Sequence, residues 1–195
     1  DTPQTLSGTL TDTSAFSTLI FQGNATKTIA VNASTTNLVN GSSATTSTSS
    51  LVLPSHLTVT GNFTQLDTLV PGTGTTTFAG TGEQHATGTL NFYNLAVVNN
   101  SATTTFAAPF AVANHTIAST TGTRLALTAN ATSTAASLAL RGTSTSRVSL
   151  RSTESGTRAT LSATNAYDVA YVDVKDMSAC GSTGGAITAP TGLDS

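Results

Sequence analysis

The chain has one cysteine, one methionine, no tryptophan and few charges: 8% of residues are Asp, Glu, Lys or Arg, against about 25% in an ordinary soluble domain. A single Cys180 excludes an internal disulfide framework and a paired-cysteine metal site. Seven basic residues at a net charge of −2 form no stripe for a polyanion, so nucleic acid is not an expected partner. Five of them, Arg124, Arg141, Arg147, Arg151 and Arg158, share one stretch, where they read as solvated strand ends or edge protection. No apolar run approaches the roughly 20 residues of a helical membrane span, and a membrane-spanning chain is not expected. Apolar spacing at i, i+3, i+4, i+7 persists nowhere, which argues against helices. The sequence opens on Asp1 with no visible signal peptide, as expected of a chain whose leader was removed or of a piece of a longer polypeptide.

What the sequence does have is threonine, about a fifth of the chain. A β-branched side chain is stiff at χ1 and fits a pleated, extended backbone better than a helix. The apolar positions come mainly from Ala, Leu and Val in short runs. Clear instances are Thr18-Leu19-Ile20-Phe21, Thr28-Ile29-Ala30-Val31, Leu57-Thr58-Val59-Thr60, Thr75-Thr76-Thr77-Phe78 and Leu90-Asn91-Phe92-Tyr93-Asn94-Leu95. Beyond residue 120 they recur at intervals of about eight to thirteen residues, at Leu125, Leu138, Val148, Leu161 and Val169. Gly, Asn, Ser and Pro punctuate them as turn residues do. An all-β fold follows.

Two all-β architectures suit evenly spaced short strands. An antiparallel sandwich needs hairpins, whose best signal is Asn-Gly or Asp-Gly between strands, and only Asn40-Gly41 occurs. A parallel solenoid stacks each strand on its equivalent about 20–30 residues later, and neighbouring coils complete each other's core. The scarcity of hairpin turns favours a right-handed parallel β-helix running through residues 1–195 as one elongated module. An antiparallel β-sandwich of a fibre subunit stays as the alternative. Residues 1–14, with the alternating Thr5-Leu6-Ser7-Gly8-Thr9-Leu10, are a candidate pairing or exchanged strand. Residues 41–50 are almost pure Gly, Ser, Ala and Thr and resemble either a linker or a polar strand.

Two stretches resemble a family of large, secreted bacterial surface proteins with parallel β-helix repeats. One is Leu90-Asn91-Phe92-Tyr93-Asn94-Leu95-Ala96-Val97-Val98-Asn99-Asn100. The other is Leu150-Arg151-Ser152-Thr153-Glu154-Ser155-Gly156-Thr157-Arg158 with Val169-Ala170-Tyr171-Val172-Asp173-Val174-Lys175-Asp176-Met177-Ser178-Ala179. The resemblance covers about half the chain. It implies a cell-surface solenoid within a long polypeptide, with no catalytic residues to carry over. Met177-Ser178-Ala179-Cys180 departs from the pattern, and residues 1–88 match it less closely.

Candidate chemistry is sparse. Asp168, Asp173, Lys175 and Asp176 form the densest charged patch, but the Gly-Gly-x-Gly-x-Asp signature of a calcium-binding solenoid is missing. Glu83 and Glu154 share no pattern that would pair two carboxylates for glycoside hydrolysis. His56, His85 and His115 sit singly, without metal-ligand spacing. Lys27 and Lys175 are the lysines open to an intramolecular crosslink, and no motif singles either out. Neither catalytic residues nor a metal or cofactor are therefore expected. Seven N-x-[ST] triplets, at Asn24, Asn32, Asn40, Asn62, Asn99, Asn114 and Asn130, are candidate glycosylation acceptors and point to the outside of a cell. The expected function is structural: an extracellular fibre, stalk or filament that self-assembles end to end. The alternative is an adhesin that recognises glycans or another cell surface.

Overall fold

The computed structural model describes residues 4–6, 15–41, 50–118, 122–180 and 193–194. Within them lie twenty strands and no helix, and every strand pairing is parallel. This removes the antiparallel sandwich and leaves a β-solenoid of about seven turns. The strands fall into three ladders that the chain visits in rotation.

The first ladder stacks Gln4–Leu6, Lys27–Ile29, Ser50–Val52 and Thr68–Val70. The second holds His56–Val59 and Thr75–Phe78, and the third Phe63–Gln65, Gln84–Gly88, Thr103–Phe106, Arg124–Leu127, Val148–Ser152 and Val172–Lys175. Ala33–Asn40 spans two of them: residues 33–35 pair with 57–59, and 38–40 with 63–65. From residue 90 onward, single long strands cover two walls of a coil. Leu90–Val97, Phe110–Ala118, Thr132–Arg141 and Ala159–Ala170 each change register near the middle. There the strand turns a corner without leaving the ladder.

Each pairing advances one coil, from 18 residues at Ser50 to Thr68 up to 29 at Ser137 to Ala166. Strand lengths stay short, so the corners absorb the difference. Residues 42–49, read above as linker or strand, lie outside the described residues, as do 7–10 of the first alternating segment.

Alternation within most of the strands sends every second side chain into the column. Leu38, Leu57, Val59, Leu95, Val97, Leu125, Leu127, Leu138, Leu140, Val148, Leu150 and Val172 are all buried there. The middle coils add aromatics from all three walls. Phe63 and Phe92 lie edge to face at 5.8 Å, Phe78 and Phe106 at 5.6 Å, Phe106 and Phe110 at 4.9 Å. Such edge-to-face pairs contribute about 0.5–1.5 kcal/mol each beyond the area they bury.

Phe78 touches Phe63, Phe92 and Phe106 and is fully buried. Phe78→Ala is therefore expected to cost about 3–5 kcal/mol, read as a lowered urea midpoint. A loss below about 1 kcal/mol would mean that the aromatic cluster is not the core of these coils.

Candidate functional site

Asparagine, serine and threonine side chains tie one coil to the next at the corners, where ladder pairing lapses. Asn32 Oδ1 accepts the His56 N–H at 3.1 Å, Asn37 Oδ1 the Asn62 N–H at 2.9 Å, and Asn62 Oδ1 the His85 N–H at 2.9 Å. Ser133 Oγ accepts from Phe110 N–H at 3.2 Å, and Thr153 Oγ1 from Ala129 N–H at 3.0 Å. In each case the partner is one coil away. A side-chain oxygen stands in for the missing ladder carbonyl, so the backbone donor stays satisfied.

Asn24, Asn32, Asn62, Asn114 and Asn130 are exposed, and Asn130 holds a left-handed backbone with φ 56°. Asn40 and Asn99 are buried. Asn40 Nδ2 donates to Thr68 O at 3.1 Å, and Asn99 Nδ2 to Gly82 O at 2.8 Å. In the folded coil neither amide nitrogen has room for a sugar. Asn32 and Asn62 also serve as the corner ties described above.

The charged patch of the last coils is paired across turns. Arg141 Nε donates to Asp168 Oδ2 at 2.5 Å, and Arg151 reaches Asp173 Oδ2 at 2.5 Å while also donating to the Asp173 carbonyl at 2.8 Å. Arg147 sits over the Tyr171 ring, 5.9 Å from its centroid. Lys175 is exposed, and Asp176 takes a left-handed turn with φ 54°. Among the described residues, no three of His, Cys, Asp and Glu converge as metal ligands.

The three histidines lie on different coils, and no two are register partners. His115 Nδ1 is 2.6 Å from Ser137 Oγ, a pair that superficially resembles a catalytic dyad. The Ser137 hydroxyl, however, donates its proton to the Asn114 carbonyl at 2.9 Å. The imidazole must then be the donor at Nδ1, which is the wrong arrangement for a base that activates serine. Glu83 and Glu154 occupy separate exposed turns and do not meet. The Cys180 side chain lies outside the described residues.

Among the buried polar side chains that the sequence did not mark are Gln84 and Lys27. Gln84 Oε1 accepts from Gly80 N–H (3.0 Å) and Asn99 Nδ2 (3.2 Å), while its Nε2 donates to Val59 O (2.9 Å) and Gly61 O (3.0 Å). One amide thus gathers three stretches of chain. Lys27 is 1% exposed, with Nζ donating to Ala25 O at 2.6 Å. Only the density of polar residues around 80–84 hinted at the first, and nothing marked the second.

Among the described residues no helix is long and apolar enough to cross a membrane. Comparisons with protein-family models, with curated proteins and with solved structures find no match.

Two substitutions separate the ties by burial. Gln84→Ala takes away the partner of the Gly80 N–H and of the Gly61 carbonyl, at about 1–3 kcal/mol for each group left unpaired. Asp173→Asn breaks an ion pair whose side chains are about 30% exposed and should cost under about 1 kcal/mol, less in high salt. Denaturant melts of both variants check the ranking, and the reverse order would refute it.

Proposed function

We propose that the protein is a non-catalytic structural element of an extracellular surface, one length of a fibre, stalk or filament built by stacking coils. The supporting observation is the unbroken alternation of parallel strands along the described column. A parallel solenoid satisfies its backbone along the axis and adds core with every coil, so extent is reached without a globular centre. Side chains with chemical potential are spent on corner ties and cross-coil ion pairs.

The proposed assembly is end to end, through strand edges at either end of the described residues. Gln4–Leu6 pairs with Lys27–Ile29 on one side, and Ala15–Phe21 with Ala33–Asn40; among the described residues neither has a strand on its other side. At the far end, among the described residues, residues 166–170 of Ala159–Ala170 pair on one side only. Free strand edges are templates for another chain. A contact between unlike ends repeats without closing and gives a filament.

Purified protein at high concentration is expected to form fibres in negative-stain images. Deleting residues 1–14 should abolish them by removing the first strand of the first ladder. Fibres of unchanged length from the truncated chain would overturn the end-to-end reading.

A further inference from the structure

We propose that a shallow trough on the flank of the solenoid is a binding site for an uncharged pyranose sugar. It opens where the third ladder turns into the first, has a volume of about 440 Å³, and is lined in part by Gly88, Asn91, Pro109, Ala111, Thr132 and Thr134.

The trough arises from the residues placed in register. Asn91, Ala111 and Thr134 are consecutive partners on three stacked coils, and Asn91 and Ala111 are exposed on the outer face. The short Ala111 between two larger neighbours leaves a dip about two strand spacings wide, roughly 10 Å. Gly88 deepens one end. Its φ is +94°, and a Cβ there would lie 1.6 Å from the Gln65 carbonyl oxygen, so no other residue fits.

The chemistry of the lining selects the ligand. Pro109 and Ala111, both exposed, offer an apolar floor on which the C–H face of a sugar ring can rest. On one rim the Asn91 amide both donates and accepts; on the other, the Thr132 and Thr134 hydroxyls do the same. No lining residue is charged, so a uronic acid or a sulfated sugar would meet no counter-charge there. A neutral hexose or N-acetylhexosamine matches the site, with hydroxyls directed at both rims.

The test is a titration of the full chain with cellobiose, maltose, chitobiose and mannobiose, beside digalacturonate, followed by saturation-transfer NMR. At least one neutral disaccharide is expected to bind saturably, and digalacturonate at least tenfold more weakly. Ala111→Phe fills the dip and should reduce binding tenfold or more. Asn91→Ala, which removes one rim, should reduce it by about tenfold, the equivalent of one hydrogen bond. Unchanged circular dichroism and melting temperature for both variants confirm that the fold survives. The proposal fails if no neutral disaccharide saturates, if digalacturonate binds best, or if both folded variants bind as the parent does. Fibre formation by Ala111→Phe should be unaltered, which keeps this result separate from the scaffold reading.

Discussion

A parallel strand placed alone has nothing to pair with and a side-chain face it cannot keep dry. The hydrogen bonds between one coil and the next resolve both problems together, and the other features of this molecule follow from them. Because the strands lie in register, each inward residue sits above and below its equivalents. Leu38 stacks on Phe63 and Leu125 on Leu150, so each coil forms the lid and the floor of its neighbours. The fold is therefore held by repetition of contacts between adjacent coils rather than by one central nucleus.

The same constraint explains the composition. Corners interrupt the ladder, and each interruption leaves backbone donors in need of acceptors. Asn32, Asn37, Asn62, Ser133 and Thr153 meet that need over a distance of one coil. A chain with many corners needs many short polar side chains. Part of its Asn and Ser content thus serves the corners, while much of its threonine lies within the strands. Triplets that match a glycosylation pattern arise as a by-product, and the burial of Asn40 and Asn99 shows how little the pattern says about accessibility.

The fold class was legible because it rests on two local signals, β-branched alternation and the near absence of hairpin turns. Those signals carried the reading through residues 15–88, where resemblance to known surface proteins was weakest. The stacking register was not legible. With coil lengths from 18 to 29 residues, no fixed repeat reveals which residues come to lie side by side. The pairing of Arg151 with Asp173, the gathering of three stretches by Gln84 and the dip at Ala111 all depend on that register. Lys27 was equally opaque, since a lone lysine in a Thr-rich strand looks like a solvated one. His56, His85 and His115 each lie in a strand of their own, and Glu83 and Glu154 in separate turns.

The phenylalanine cluster from Phe63 to Phe110 occupies only the middle coils. The coils after it are packed with leucine, valine and alanine, and toward the other end Ile20 is 59% exposed. Mechanical load along the axis would therefore meet unequal resistance. Outer turns would peel away first, while the aromatic waist holds as a clamp from which the detached turns can wind back.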